Sequence, residues 1–514
     1  MSSGPRIHVY NMSQKGPTGT EGTPYNIPTY HNNKDNFLSA TMGNLVMGTC
    51  IAWSGPAVPL LKLAPHADGF NASNYDGSWI GSLMPLGALL GGQFGGILVS
   101  RLGRKGAMML DAGIFAMGYL FIISAPNLWM IYIGRFIGGI ATGISSLACP
   151  VYVGEIAKPE IRGLLGSGVQ VMVTIGVLLV FVIGAFLSWR WMSIVCLALV
   201  VLWALLLILI PESPEFYLSV KKYREARESL EWLRESIYVE AEYEDIQKNI
   251  EDSETGSAGI KDLFLSHNLP PLIISLYLML GQQFSGMNAV IFNVVDIFNA
   301  AGSKISPNTE SIIVAVVQVV ATCISAAVMD RLGRRILLNI SAAMMVVSIS
   351  SLGAYFYILD YLHDTDLAKT IQLLPVASLS IFVFGFSVGF GPIPWLMMSE
   401  LFSPEVKSLA SSIATTFNWS LAFVVTKFFT DLEASISVAG SFWVFGGITF
   451  VTFLFCLFFV PETKGKSMEQ IQALFRSNRP YFLEIGVWKC CRRSTDSDLE
   501  VLVDEGHIDT DDVY

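Results

Sequence analysis

A succession of long apolar blocks is the feature of this sequence that most restricts its possible folds. Each block approaches the roughly 20 residues that an α-helix needs to cross the hydrocarbon core of a bilayer. Counting the blocks predicts about twelve spans. Their approximate cores are residues 37–61, 77–99, 107–125, 129–153, 163–187, 191–210, 270–298, 309–329, 335–359, 371–399, 407–431 and 438–460. The sequence therefore predicts an all-α integral membrane protein.

The composition excludes a soluble globular protein of this length. Of the 514 residues, 52% are hydrophobic and 14% are charged, whereas an average soluble domain has about 25% charged residues. Most predicted spans contain Gly, Ser, Thr or Ala at intervals, and several contain Pro. Small residues allow close helix packing, and Pro is tolerated in the broken helices of membrane bundles. We therefore expect a helix bundle rather than a β-barrel.

Basic residues in the short loops predict the orientation in the membrane, because Lys and Arg resist translocation. With the amino terminus inside, the inner loops carry Arg101, Arg104, Lys105, Lys158, Arg162, Arg331, Arg334 and Arg335. The outer loops then carry only Lys62, Arg190, Lys304 and Lys369. The same orientation places a glycosylation acceptor pattern, Asn71-Ala72-Ser73, outside. The sequence thus predicts a multi-pass protein of the cell membrane with both termini in the cytoplasm and a glycan on Asn71.

Changes in composition divide the chain into five predicted segments. Residues 1–36 are polar and lack the pattern of a cleavable signal peptide, which predicts a disordered cytoplasmic terminus. Residues 212–268 alternate charged and apolar positions at helical spacing, as in Tyr223, Ala226, Leu230 and Leu233. This segment is predicted to be a small intracellular helical domain. It separates six-helix bundles at 37–211 and 269–461, and residues 462–514 form an acidic cytoplasmic tail.

The two predicted bundles repeat each other weakly. The sequence RLGRK at 101–105 is echoed by RLGRR at 331–335, and PES at 211–213 is echoed by PET at 461–463. Glu155 and Arg162 are echoed by Glu400 and Lys407, an acid and a base seven residues apart in both cases. Internal repeats of this kind are typical of carriers that work by alternating access.

Seven short motifs occur in order between residues 37 and 470. They are GRF at 134–136, PVYVGE at 150–155 with RG at 162–163, PESP at 211–214, QQFSGMN at 282–288, GPIPW at 391–395, NW at 418–419 and PETKG at 461–465. Together they resemble the sugar porter family of the major facilitator superfamily. The sequence of residues 392–402 is most similar to those of insect facilitated trehalose transporters and animal facilitative glucose transporters. The resemblance implies the major facilitator fold, with twelve transmembrane helices in two halves.

The resemblance also implies a central binding site for a small neutral sugar. A sugar offers hydroxyl groups and an apolar face of C–H groups, so we expect its site to combine amides with an aromatic platform. The positions that match the family's site are Gln170, Gln282, Gln283, Asn288, Gln318, Ser387, Trp395 and Asn418. A single buried amide more often holds helices together. The coincidence of several amides at family positions favours the binding site.

Two of these positions depart from the family's glucose transporters. Ser387 stands where those proteins carry an acid eight residues before the tryptophan, and Gln318 stands where they carry Asn. Loss of the carboxylate removes a strong acceptor for sugar hydroxyls and leaves space. The departures are compatible with a larger sugar, so trehalose and a hexose such as glucose both stay open as substrates.

The energy source is predicted to be the sugar gradient alone. ATP is excluded because Val460 stands where a phosphate-binding loop before Gly465 and Lys466 requires Gly. Proton-coupled members of the family carry an Asp in the first span, and residues 37–61 contain no acid. The remaining charged candidate is Arg135, which the resemblance places near the cytoplasmic face of the fourth span, and we expect it to form a structural ion pair. We expect facilitated diffusion without a cofactor, a metal ion or nucleic acid.

Two alternatives to this uniport remain open. One is a proton-coupled sugar symporter, and the other is a transporter-like sugar receptor without significant flux. Flux of a labelled sugar through the purified protein separates the receptor from both carriers.

Gating is assigned to charged residues at the cytoplasmic ends of the spans. An isolated exposed ion pair contributes about 0 to 1 kcal/mol, but several coupled charges at a partly dehydrated interface can shift an equilibrium between two states. We expect ion pairs between the halves in the outward-open state. The residues assigned to this role are Arg104, Lys105, Glu155, Arg162, Asp330, Arg334, Arg335, Glu400 and Lys407.

Overall fold

The protein is helical throughout the part of the chain that its computed structural model describes. The described residues are 31–63, 70, 72–157, 162–234, 236, 238–254, 263–265, 267–302, 304–362, 367, 370–466 and 468–476. No strand occurs among them. Twelve helical segments are long and apolar enough to cross a membrane, which confirms the predicted fold class and number of spans. The predicted glycosylation site Asn71, the terminus 1–30 and the tail 477–514 lie outside the described residues.

The first half contains spans 1 to 6. Span 1 consists of α1 (His31–Ala52) and α2 (Ser54–Leu63), and spans 2 to 6 are α3 (Asn74–Leu102), α4 (Arg104–Ile123), α5 (Leu128–Ile156), α6 (Arg162–Phe186) and α7 (Trp189–Leu209). Three shorter helices follow, α8 (Pro214–Ser219), α9 (Tyr223–Arg234) and α10 (Glu240–Glu254).

The short helices dock on the end of span 4. In α9, Ala226, Leu230 and Leu233 are buried as their spacing predicts, whereas Tyr223 is exposed. Arg234 donates from Nη1 to the backbone oxygen of Ile156 at 2.9 Å and therefore ties α9 to span 4.

The second half contains spans 7 to 12. Span 7 consists of α11 (Leu269–Phe284) and α12 (Met287–Ala301), and span 10 consists of α15 (Leu374–Val388) and α16 (Ile393–Leu401). The other spans are α13 (Pro307–Leu332), α14 (Arg334–Asp360), α17 (Pro404–Ile436) and α18 (Val438–Phe459), and α19 (Met468–Arg476) follows them.

Spans 7 and 10 are broken near their midpoints. The break in span 7 lies at Gly286, whose φ of 87° belongs to the left-handed region that favours glycine. A Cβ atom at Gly286 would stand 2.7 Å from the ring of Phe445, so no larger side chain fits there. Span 10 is interrupted between Val388 and Ile393, where Gly389, Gly391 and Pro392 occur together. At both breaks, backbone polar groups leave the regular helical hydrogen bonding. These groups and nearby polar side chains can then bond to other partners in the middle of the bundle.

The two ends of the bundle differ in charge. We call the end that carries the turns 101–105 and 331–335 the basic end, and the end that carries Leu63, Ser188, Gly302 and Ser437 the far end. The halves contact each other through spans 1 and 7, spans 2 and 11, and spans 5 and 8. At the far end Lys62 of span 1 pairs with Asp296 of span 7 at 2.8 Å. The structure is therefore closed between the halves at its far end.

Candidate functional site

Four amide side chains converge at the break of span 7. Gln283 donates to Oδ1 of Asn418 at 2.9 Å, and Asn288 donates to Oε1 of Gln283 at 2.6 Å. Asn418 in turn donates to Oε1 of Gln282 at 2.8 Å. These four residues, which we call the amide cluster, link the two helices of span 7 to span 11. The neighbouring residues Gln282 and Gln283 thus reach the same partner, Asn418, although successive residues of a helix point in different directions.

Gln282 has a different role from the rest of the amide cluster. Its Nε2 donates to the backbone oxygens of Phe390 at 2.7 Å and Gly391 at 2.9 Å. Both N–H groups of the amide are therefore used by the broken segment of span 10. Gln282 holds that segment against span 7, and we infer that it positions the site rather than donating to a ligand.

The amide cluster keeps hydrogen-bonding capacity for a ligand. An amide has two N–H donors and an oxygen with two lone pairs, and Gln283 and Asn288 each use one donor within the cluster. The amide groups that carry the remaining donors and lone pairs are uncharged. They therefore suit neutral hydroxyl groups better than an ionised ligand. Gln283 is buried and Asn288 is half-buried.

The remaining predicted positions lie on spans 5, 8 and 10 and make no hydrogen bond to the amide cluster among the described residues. Gln318 is buried in span 8, and its Oε1 has no hydrogen-bond partner in the described part of the chain. Ser387 is buried in the last turn of α15, and Trp395 is half-buried in α16 just after the segment that Gln282 holds. Gln170 is half-buried in span 5. An unpaired buried oxygen such as that of Gln318 is costly unless a ligand or water satisfies it.

Trp419 is a candidate site residue that the sequence did not single out. It follows Asn418 on span 11, is buried, and its Nε1 has no hydrogen-bond partner among the described residues. A buried indole N–H normally finds an acceptor. The signal was present in the sequence, because Trp419 belongs to the same two-residue motif as Asn418.

A second polar site occupies the basic end of each half. In the first half Arg104 pairs with Glu155 at 2.6 Å, and the hydroxyl of Ser213 donates to the same carboxylate. In the second half Arg334 pairs with Glu400 at 3.1 Å, and Thr463 donates to Glu400 at 2.5 Å. The repeat seen in the sequence therefore corresponds to one arrangement of side chains built twice.

In both halves a glutamate caps the amino terminus of a helix, Glu212 that of α4 and Glu462 that of α14. Glu212 accepts from the backbone N–H groups of Arg104 at 2.9 Å and Lys105 at 3.0 Å. Glu462 accepts from those of Arg334 at 2.9 Å and Arg335 at 3.1 Å. A carboxylate at a helix amino terminus satisfies free N–H groups and interacts favourably with the helix dipole.

Sequence reasoning did not assign Glu212, Ser213, Glu462 or Thr463 to this site. The repeat of PES at 211–213 and PET at 461–463 was the signal that could have identified them.

The hydrogen bonds and ion pairs that the structure gives for the described gating residues lie within each half. Lys105 donates to the backbone oxygen of Ile210 at 2.7 Å, and Arg335 donates to that of Leu457. Lys407 is half-buried in the first turn of span 11. The side chains of Arg162 and Asp330 lie outside the described part of the structure. The ion pairs expected between the halves in the outward-open state stay a prediction.

Arg135 does not lie where the sequence placed it. It is buried in the second turn of span 4, which starts at the far end, rather than near the basic end. It donates to the backbone oxygens of Cys50 at 2.6 Å and Ile80 at 3.1 Å, and its guanidinium lies 5.5 Å from the ring centre of Trp53. The expected ion pair was wrong, because no carboxylate among the described residues pairs with it. Arg135 instead joins spans 1, 2 and 4.

The chain is similar in sequence to known sugar transporters. The family model described as "Sugar (and other) transporter" matches residues 25–475. The facilitated trehalose transporter Tret1 of Anopheles gambiae is 44% identical over 438 residues, which cover 85% of this chain and 55% of the relative. The transporter of the same name from Culex quinquefasciatus is 43% identical, with 85% of this chain and 84% of the relative covered. The chain thus spans about half the length of the first of these relatives.

Solved structures give the same architecture. The proton:xylose symporter XylE bound to 6-bromo-6-deoxy-D-glucose superposes with a TM-score of 0.70 at 26% identity, covering 86% of this chain and 99% of that one. The inward open conformation of the xylose transporter XylE from E. coli has a TM-score of 0.72 at 25% identity, with the same coverage of 86% and 99%.

Proposed function

The chain belongs to the sugar porter family of the major facilitator superfamily, and we propose that it carries trehalose down its concentration gradient by alternating access. It is a membrane transporter and not an enzyme.

The uncharged amide cluster between spans 7 and 11 is the observation that carries the proposal. Gln283 and Asn288 keep free donors and acceptors beside a break in the helix, and Gln318 offers an unpaired buried oxygen. Trp395 and Trp419 lie on the neighbouring spans 10 and 11 and supply aromatic faces for the C–H groups of a sugar. A neutral polyhydroxyl ligand matches these groups without placing a charge in the bundle.

Trehalose is favoured over a single hexose by two observations. The relatives with 44% and 43% identity are named facilitated trehalose transporters. Ser387 and Gln318 replace the residues that the family's glucose transporters carry, and the smaller serine leaves room for a second ring. A hexose such as glucose is the alternative substrate that the transport experiment compares directly.

The basic end is assigned to the cytoplasm, because Arg104, Lys105, Arg334 and Arg335 are concentrated there. The far end then faces the outside, and Asn71 becomes available for glycosylation. Under this assignment the structure, with the halves closed at the far end, corresponds to an inward-facing state.

Uptake of trehalose by the purified protein in liposomes is expected to persist when the pH gradient is collapsed. The physical reason is that residues 37–61 contain no acid that could take up a coupling proton. The measurement is the initial rate of labelled trehalose uptake with and without a protonophore, with labelled glucose as the comparison. Complete loss of uptake with the protonophore would contradict uniport, and sugar binding without any flux would favour the receptor.

Proton symport is kept as a second candidate because of one buried acid outside span 1. Asp111 of span 3 is fully buried, its Oδ2 accepts from Ser145 at 2.6 Å, and its Oδ1 has no partner among the described residues. An ionisable residue inside a membrane span is costly to bury, which makes Asp111 a candidate for a functional role. If an imposed pH gradient drives accumulation of trehalose, we expect Asp111→Asn to abolish accumulation and to leave trehalose exchange intact.

A further inference from the structure

Lys427 of span 11 is a buried cation at the contact between the two halves. Its side chain is 7% exposed, and it donates from Nζ to Oγ of Ser78 on span 2 at 2.8 Å. The same nitrogen lies 4.4 Å from the ring centre of Tyr75 and 4.4 Å from that of Trp79. The Tyr75, Ser78 and Trp79 side chains, which we call the span 2 cage, thus surround a cation supplied by the other half.

The cage holds Lys427 without a carboxylate. The acid closest in sequence on span 2, Asp76, is already engaged, because it accepts from the hydroxyls of Ser73 at 2.6 Å and Tyr132 at 2.7 Å. No ion pair of Lys427 occurs among the described residues. Aromatic faces attract a desolvated cation through their quadrupole, and this attraction is strongest where water is excluded.

The hydrogen bond in the cage has a defined direction. The hydroxyl proton of Ser78 is donated to the backbone oxygen of Tyr75 at 2.8 Å, which leaves a lone pair of Oγ for the Lys427 ammonium. Tyr75 and Trp79 meet edge to face with their ring centres 6.3 Å apart, an arrangement that aromatic pairs prefer. The Ser78 hydroxyl and the two rings therefore contact the cation together.

These contacts cross between the halves near the far end. Ser78 lies in the second turn of span 2, which begins at the far end, and Lys427 lies nine residues before the far end of span 11 at Ile436. The half-buried pair of Lys62 with Asp296 crosses at the same end in the opposite direction. Opening the far end requires the halves to separate there, so these contacts exist in one of the two states only.

We propose that Lys427 and the span 2 cage form a latch that stabilises the state closed at the far end and releases once in each transport cycle. The inference rests on the proposed alternating access. A ligand or contact that favours one of two states shifts the ratio of their populations. The size of the shift is set by the difference between its interaction free energies in the two states. A buried ion pair would be costly to separate, because each charge would be left unpaired. A cage without formal charge leaves only one cation to hydrate on opening, which suits a contact that must break repeatedly.

The test measures the far-end distance between the halves without any sugar. Spin labels are attached after Ser188→Cys in the first half and Leu362→Cys in the second, both exposed positions. The exposed Cys323 and the tail residues Cys490 and Cys491 are first replaced by Ser. Pulsed electron–electron distance measurements in nanodiscs then give the ratio of long to short distances.

We expect Lys427→Met to raise the ratio of long to short distances by about tenfold, which corresponds to about 1.4 kcal/mol. The double variant Tyr75→Leu with Trp79→Leu, which leaves Lys427 in place, should shift the ratio in the same direction. Lys427→Arg keeps the charge and is expected to keep the short distance. Lys304→Met, the same substitution at an exposed lysine of the far end, is the matched control and should leave the ratio unchanged.

An unchanged ratio in the cage double variant would overturn the latch, because these substitutions remove both rings from around the cation. The same conclusion follows if monodisperse Lys427→Met protein shows the original distances. If Lys427→Met does not fold, the cage variant alone decides, since Tyr75 is 62% exposed and Trp79 is half-buried, so neither ring belongs to the buried core. Because no sugar is present, failure of trehalose transport would contradict the proposed function and leave the distance result valid.

Discussion

Replacing Gln283 by Ala is expected to weaken the binding of the transported sugar by about tenfold without removing the protein from the membrane. Gln283 connects Asn288 and Asn418 and keeps a free donor for a ligand. Loss of a hydrogen bond between neutral groups costs about 0.5 to 1.5 kcal/mol, and more when a hydroxyl is left buried and unpaired. Since about 1.4 kcal/mol is a tenfold change in an equilibrium constant, the upper part of this range gives the predicted effect.

Trp395→Ala should weaken binding at least as much as Gln283→Ala. It removes the aromatic face proposed for the C–H groups of the sugar and opens a cavity in α16 beside the broken segment of span 10. Affinity is measured by isothermal titration with trehalose on monodisperse purified variants. If Gln283 and Trp395 only pack the bundle, we expect the variants to express poorly and the protein that folds to bind trehalose with normal affinity.

Asn293→Ala is the matched control for the loss of an amide in span 7. Asn293 lies five residues beyond Asn288, and its side chain donates within its own helix, to the backbone oxygen of Ala289 at 2.9 Å. We expect its affinity to be unchanged. Gln282→Ala should instead lower the unfolding temperature, because Gln282 holds two backbone oxygens of span 10. Unchanged affinity in both Gln283→Ala and Trp395→Ala would remove the sugar site from the amide cluster.

The sequence predicted those features that depend on the bilayer or on local chemistry. Twelve apolar segments of sufficient length require helices, because backbone polar groups must be satisfied within each segment. Gly286 lies within the QQFSGMN motif, and its positive φ breaks the helix between Gln282 and Gln283 on one side and Asn288 on the other. In both cases the cause lies within a few residues of its effect.

Features that depend on contacts between distant spans were not predictable in the same way. The partners of Gln282 are backbone oxygens of Phe390 and Gly391, more than a hundred residues away and without any side-chain signature. Arg135 was expected in an ion pair, but backbone oxygens of spans 1 and 2 accept its protons. A broken or kinked span exposes such oxygens, and only the three-dimensional packing determines which cation reaches them.

Transport is expected to slow by at least tenfold in Glu155→Gln and in Arg334→Ala, while sugar binding stays measurable. Glu155 is paired with Arg104, and Arg334 with Glu400, with side chains that are between 9% and 22% exposed. Hydrogen bonds to charged groups contribute about 1.5 to 3 kcal/mol when they are largely buried. Losing one member also leaves the other charge without its partner, which raises the cost further.

The effect should fall on the rate of transport because neither pair contacts the amide cluster among the described residues. Each pair joins the end of one span to the start of another at the basic end, where the halves are predicted to meet when the far end opens. Initial transport rates in liposomes and dissociation constants for trehalose are measured on the same preparations. Together they separate an effect on the transport rate from an effect on sugar binding. Arg224→Ala, which removes an exposed pair with Glu228 on α9, is the matched control and should change neither quantity. If binding falls as much as transport in both Glu155→Gln and Arg334→Ala, the paired charges only maintain the fold of each half, and the gate between the halves must be sought elsewhere.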